Sequence, residues 1–517
     1  MKKRKAAGWL LAVLTAASVL GGCADSVKDE QTVSSETGTS QVADGNEETM
    51  ELILMEHNPE KYNEDQVIRK ELEKKYNIKI KVEQIPAEKD AVTLRISSGD
   101  IPEILWDVPF GDYRTYVDQG VVAEIPVDWI KEYAPDYYDW IIENVGEDAF
   151  GYTDVDGKNY SMLTPWTLAN DGRVLGWRQD MLTEAGIDKI PETLEEMEEA
   201  LRVIKDTKGF APFTTESFEA LSSIYGAYGI YLCYYEKDGK IVYGPVEDGS
   251  LQAVTLLNKW YEEGLLDPEF MINKFDNVKE KWANDQALVT ETFWWEFLPK
   301  EAFFDGRLYE PKKDVEGFSN IVANPPKGPE GNMGITQANP VSNAGLCFGK
   351  QMEEQPEKMK KYLQVFNDVF DQENMDYVNY GIEGETYNYN QETGVEWIPP
   401  YDQEEKRDEY GIGLYMFPRC FNDYDLQAKY MTQPRYLELR KDAQSHGIGV
   451  GDAVEPLYRP VYDEKLEILD KIYKNAHIDF ITGARDLTEW DTFVEEWMNA
   501  GGKEVLEEAQ AAYEGMK

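Results

Sequence analysis

Apolar positions near the start of the body alternate between two rhythms. In "EDQVIRKELEKKYN" the residues Val67, Ile68, Leu72 and Tyr76 recur at helical spacing with charges between them. The preceding "MELILMEHNP" holds a short apolar run that predicts a buried strand. The following "IKIKVEQIP" alternates as a strand does. Strand, helix, strand predicts a βαβ unit and a parallel sheet with helices on its faces. "AVTLRISSGDIPEILWD" extends the pattern, with a helix stopping at Ser-Gly-Asp and a third strand at Ile104, Leu105 and Trp106.

Further along, "DVDGKNYSML" and "EKDGKIVYGP" predict hairpins with Asp-Gly turns. "PETLEEMEEALRVIKDTKG" is the clearest helix. Thr193 and Glu196 fit a capping box, Leu194, Met197, Leu201 and Ile204 form an apolar stripe, and Gly209 fits a stop. From "YDEKLEILDKIY" to the end the pattern is mostly helical, and no repeat of solenoid period is visible.

The first 49 residues read differently. Lys2, Lys3, Arg4 and Lys5 precede an apolar or small run over residues 9–20, too short to span a bilayer. Leu20, Gly21, Gly22 and Cys23 then resemble the lipobox of bacterial lipoproteins. In those proteins a thioether-linked diacylglycerol goes onto the cysteine and the leader is cut before it. Residues 1–22 are therefore expected to be a signal peptide. Residues 24–49 lack aromatics and any apolar period, and Ser, Thr, Glu, Asp and Gly dominate. Residues 23–49 are thus expected to be a lipid-anchored disordered linker, reaching about 28 Å root-mean-square.

Charge narrows the partners. The formal net charge is −47, and removing the four basic leader residues brings it to −51. So acidic a surface, with no basic stripe, excludes nucleic acid as a partner. Beyond Cys23 only Cys233, Cys347 and Cys420 remain, too few and too scattered for a disulfide framework or a zinc site. Buried free thiols are expected.

No compact catalytic motif is present: no G-x-S-x-G, H-E-x-x-H, phosphate loop or G-x-G-x-x-G. The three histidines, His57, His446 and His477, offer few candidates for a relay. Carboxylates are so many that counting cannot exclude a glycosidase pair. Asp154, Asp156 and Gly157 resemble the start of a calcium loop, but Gly comes too early and the closing Glu is missing. A hairpin turn is the better reading. No cofactor and no metal is expected. Aromatics stand out instead, with 13 Trp, 32 Tyr and 19 Phe. Trp106, Trp166 and the Trp294–Trp295 pair sit beside turn residues. At a cleft such rings would face the C–H surfaces of sugars while Asp, Asn, Glu and Arg bind hydroxyls.

From about residue 50 onward the chain resembles family 1 extracellular solute-binding proteins, the substrate-capturing lipoproteins of bacterial ABC importers. The resemblance is carried by ordered stretches: "SSGDIPEILW", "FGDYRTYVDQGVVAEI", "DVDGKNYSMLTPW" and "LGWRQDMLTEAGIDKIPETLEEMEEAL", then "NPPKGPEG", "YGIEGETYNYN" and "FVEEWMNAGGKEVLEEAQAAY". Size and "GIEGETY" are similar to the oligosaccharide-binding subgroup. The resemblance implies an α/β, two-lobed periplasmic-binding-protein-like fold with a hinge between lobes and a ligand cleft at the interface. Lobe one would be residues 50–164 plus 319–385, and lobe two 165–318 plus 386–517.

It also implies ligand-binding residues. These are His57 and Asn58 after the first strand, Trp106 and Asp107 after the third, and Trp166 on entry to the second lobe. Glu216 and Phe218, Trp294 and Trp295, Tyr387 and Arg419 complete the set. Maltose binders of the family differ here, since His57 replaces an amide and Glu60 stands where they carry a lysine. The implied function is capture of a carbohydrate for import by an ABC permease. The protein would be a monomer, not an enzyme, lipid-anchored through Cys23 on the extracytoplasmic face of the cell membrane. An anchored polysaccharide-active enzyme and a sensory or adhesive lipoprotein are the alternatives.

Overall fold

A computed structural model describes residues 49–56, 58–84, 89–417 and 423–516. The leader 1–22, Cys23, the linker up to residue 48, His57, Arg419 and Cys420 lie outside the described residues.

The opening βαβ unit forms as the periodicity predicts. Strand Met50–Glu56 pairs in parallel with Ile78–Gln84, Met50 opposite Ile78, and helix Val67–Tyr76 connects them. The helix buries Ile68 and Arg69 rather than Val67, which is exposed. Arg69 tolerates burial because Glu73 lies 3.1 Å from its Nε, and because it donates to the Ile80 carbonyl. The third strand, Ile104–Val108, also forms, but its neighbour is Gly345–Phe348, antiparallel. Among these three strands the expected parallel pairing is thus limited to the first two. The later partner arrives some 240 residues downstream, beyond the reach of any local pattern.

Two further predictions hold in detail. Helix Leu194–Lys208 starts with the Thr193 side chain accepting from the Glu196 N–H at 3.2 Å and ends at Gly209, φ 82°. Glu196 reaches past the N-cap to accept from the Glu192 N–H, one residue beyond the usual capping-box partner. Both Asp-Gly hairpins are present, with Asp156 and Gly157, and Asp238 and Gly239, all at positive φ. That is the backbone hand a two-residue hairpin needs.

The side chains gather into two main cores. One holds Leu52, Leu54, Ile78, Ile104, Tyr137 and Leu163 from the first third of the chain. Leu346, Phe348, Tyr362, Phe366, Tyr415 and Phe417 come from a returning segment. The other holds Trp177, Leu201, Tyr225 and Trp260, joined by Phe480, Phe493 and Trp497 from the C-terminal helices. Its sheet has Arg173–Trp177 in the centre, antiparallel to Val289–Phe293 and Ile321–Ala323. A satellite cluster of Trp282, Trp294, Phe297 and Phe303 packs beyond it.

These memberships differ from the lobe boundaries expected from the sequence. Strand Ile321–Ala323, placed with the first lobe, belongs to the second body's sheet. Tyr415 and Phe417, placed with the second lobe, fill the first core.

Cys233 and Cys347 are buried free thiols, and burial pushes the Cys347 thiol up to about 12. His477 is fully buried in the second core. Its Nε2 lies 2.9 Å from the Pro245 carbonyl, to which it donates, so Nδ1 accepts from the Tyr225 hydroxyl at 2.8 Å. Among the described residues no helix is long and apolar enough to cross a membrane.

Candidate functional site

Three stretches of chain run side by side where the two bodies meet. The Trp166 N–H donates to the Pro340 carbonyl at 2.8 Å, and the Thr164 hydroxyl lies 3.1 Å from Asn343 Oδ1. Gln337 pairs with the Arg173 backbone in both directions. Ile335–Thr336 runs parallel to Gly449–Val450, and the Asn339 amide donates to the Asp452 carbonyl at 2.7 Å. The chain passes between the bodies near residues 164–166 and near 340; Phe417 packs in the first core and Tyr424 against the satellite cluster.

The end of the central sheet builds an aromatic wall beside this junction. Arg173 and Phe293 are cross-strand partners, and the guanidinium lies 5.1 Å from the ring centroid. Phe293 stacks on Trp295 at 4.5 Å with 7° between planes. Trp166 meets both rings edge-on, at 5.8 and 6.3 Å. Glu216 places Oε1 3.5 Å from Arg173 Nη1. Trp166, Glu216 and Trp295, three residues named from the sequence, are therefore brought together. Arg173 and Phe293 belong with them. Sequence reasoning missed both; Phe293 ends a strand whose four preceding residues are all buried, so no alternation marked it.

Other expected site residues are placed elsewhere. Trp294 is fully buried under Arg440 and against Phe303, so it fills core instead of presenting a face. Phe218 is buried against Tyr225, Tyr473 and His477. Tyr387 is buried beside Tyr380. These three side chains offer a ligand no open surface. On the first body Asn58 is exposed and Trp106 is half-buried. Asp107 sits at φ 44° and is exposed, yet burial still lifts its carboxyl above the usual range.

A second part of the site was not foreseen. A small cavity of about 40 Å³ is lined from both bodies: by Phe110, Arg114 and Tyr152 of the first, and by residues 455–459, 462 and 463 of the second. The Arg114 guanidinium lies 4.8 Å from the centroid of Tyr458, which is half exposed. Arg459 is 3 % exposed and its guanidinium carbon lies 3.9 Å from the Tyr462 ring centroid, with no hydrogen-bond partner at Nε or Nη1. Burial, and next the neighbouring Asp452, push the Glu455 carboxyl up to about 7, against the pull of Arg459. Asp463 is raised as well, again chiefly by burial. In the sequence, "EPLYRPVYDE" pairs aromatics with charges as the stretches that were singled out do.

Two α/β bodies joined by several chain crossings, with a polar and aromatic cavity at their junction, define a protein that captures a solute between lobes. The chain belongs to the bacterial extracellular solute-binding protein family, whose model matches residues 68–349. It is 23% identical to lipoprotein LipO of Bacillus subtilis over the whole of both chains. It is 21% identical to the polygalacturonan/rhamnogalacturonan-binding protein YtcQ of the same organism, over 87% of this chain and 88% of the relative. The substrate-binding protein FusA of Streptococcus pneumoniae in complex with kestose superposes with a TM-score of 0.61 at 17% identity, over 90% of this chain and 99% of that one. The fold is thus the two-lobed, periplasmic-binding-protein-like α/β architecture expected from the sequence.

Proposed function

We propose that this chain is the substrate-binding component of an ABC importer and captures an oligosaccharide between its two bodies. The observation that carries the reading is the cavity lined from both bodies, where Arg114 of one lies over Tyr458 of the other. Planar donors and carboxylates beside aromatic faces suit a ring that is apolar on its faces and hydroxylated at its edge. The relatives' ligands support a saccharide, since one is described as a polygalacturonan/rhamnogalacturonan-binding protein and one was solved with kestose. Asn58, Trp106, Asp107, Trp166, Glu216 and Trp295 remain our candidates for ligand contact, joined by Arg173, Phe293, Arg114, Tyr458 and Arg459.

We take the two bodies as the lobes, 50–164 with 341–417, and 165–337 with 424–516. Capture would close one on the other about the crossings near 165 and 340. Lipid on Cys23 would hold the protein at the outer face of the cell membrane, where it delivers ligand to permease subunits as a monomer and without turning it over. The match to a lipoprotein over the full chain supports the anchor.

A thermal-shift screen of the protein against oligosaccharides tests the reading. A ligand at 100 times its dissociation constant stabilises the folded state by about 2.7 kcal/mol if it binds only that state. The ligand should be recovered intact after incubation. If no saccharide shifts unfolding, or if the ligand is cleaved, the reading fails. For the anchor, Cys23→Ala should leave the leader uncut or release the protein from membranes; unchanged retention with normal mature mass contradicts it.

A further inference from the structure

The charges at the seam bear on which saccharides it accepts. Arg459 carries two buried N–H donors with no acceptor in the protein. Glu455 and Asp463 line the same cavity, and among the described residues neither forms an ion pair within 4 Å. Asp463 Oδ2 comes within 3.6 Å of where a side chain on Gly111 would begin, so this carboxylate reaches across to the first body. On the aromatic wall Arg173 is already engaged by Glu216, and Arg307 nearby by Glu296 at 3.0 Å. Asp107, on the first body, likewise has no cation within ion-pair distance among the described residues.

We propose that the seam selects uncharged oligosaccharides and rejects uronate polymers. In this arrangement the Arg459 fork donates to ligand hydroxyls, and Asp463 and Glu455 accept from them. The inference rests on the saccharide reading above. A hydroxyl both donates and accepts, so adjacent hydroxyls satisfy a guanidinium edge and a neighbouring carboxylate together. A uronate carboxylate can only accept. Its ring hydroxyls remain, but its carboxylate, placed on Arg459, would bring a like charge beside Glu455 and Asp463 in a partly dry cavity. Burial lifting both Glu455 and Asp463 in spite of Arg459 agrees with a site already short of positive charge. The net charge of −47 adds a field that opposes a polyanion on approach, within the screening length of about 8 Å at physiological salt.

The test is calorimetric titration of the full chain in detergent at pH 7.5 and 150 mM salt. Probes of four to six sugars are compared: gluco-, manno-, galacto-, xylo- and fructo-oligosaccharides against oligogalacturonates and alginate oligomers. At least one neutral series should bind, and every uronate series should bind at least thirtyfold more weakly. In the double variant Glu455→Gln, Asp463→Asn the neutral ligand should weaken at least tenfold and the ratio between classes should shrink. A uronate within thirtyfold of the best neutral ligand overturns the inference and leaves the saccharide reading standing. An unchanged ratio in a folded double variant overturns the role given to these carboxylates. Failure of both classes to bind overturns the saccharide reading, and this inference with it.

Discussion

His477 and Arg459 are both buried polar side chains packed among tyrosines, and they are finished differently. His477 uses both ring nitrogens, one on a hydroxyl and one on a carbonyl, inside a core of aromatic rings. Arg459 has the rings but lacks acceptors at two nitrogens. A buried donor left unpaired costs about 1–3 kcal/mol, more when charged. Several buried indoles lack acceptors too. Arg459 is set apart by its charge and by lining a cavity shared by both bodies. The difference separates a packed interior from a surface completed by something that arrives from outside.

The sharpest contrast to break is between packing and binding tryptophans. Trp294→Ala should cost about 3–5 kcal/mol of stability, the range for a buried Trp, read by chemical denaturation. The folded fraction should bind saccharide as wild type does; a specific loss of affinity would return Trp294 to the site.

Next in size is the acid response of His477. Burial lowers its folded value to about 4 from 6.5, so the unfolded chain binds the extra proton between these pH values. Stability is therefore full above about pH 6.5 and falls by about 3 kcal/mol as pH drops to 4. The variant His477→Gln should lose this component of the acid slope in denaturation curves taken across that window. A slope identical to wild type would mean that the ring is not held neutral.

On the binding side, Trp166→Ala should weaken saccharide affinity by about 2 kcal/mol, roughly thirtyfold, with a smaller loss of stability because the ring is half-buried. Calorimetry and denaturation on the same protein separate the two effects, and unchanged affinity would remove Trp166 from the wall's ligand face. The smallest change expected is Thr193→Ala. Loss of the cap on helix Leu194–Lys208 should cost about 1 kcal/mol and leave affinity alone. A change in affinity there would show that the helix start communicates with the seam.

What the sequence made legible follows from the range of the forces involved. The cap at Thr193, the stop at Gly209 and the Asp-Gly hairpins are set by contacts within four residues, and all were readable. The pairing of Ile104–Val108 with Gly345–Phe348 depends on residues far apart in the chain, and the parallel-sheet expectation failed there. The lobe boundaries near Phe318 and Gly384 differ for the same reason, because core membership is decided by distant packing. At the site, residue type pointed to Trp294 and Trp295 alike. The turn at residues 294–297 buries both rings, Trp294 completely and Trp295 to 8 % exposure, and stacks Trp295 on Phe293. Arg459 stands in "EPLYRPVYDE", which mixes aromatics and charges as the other site stretches do, but its burial depends on distant packing that no local pattern shows.

Capture between the two bodies is tested most directly by calorimetric titration of the best saccharide ligand into wild type and into Arg114→Ala, Tyr458→Ala, a pair with one residue on each body. The account predicts that the double variant folds with near-wild-type stability, because Tyr458 is half exposed, and binds at least thirtyfold more weakly. Equal affinity in the two proteins would place the ligand away from the seam and contradict the account.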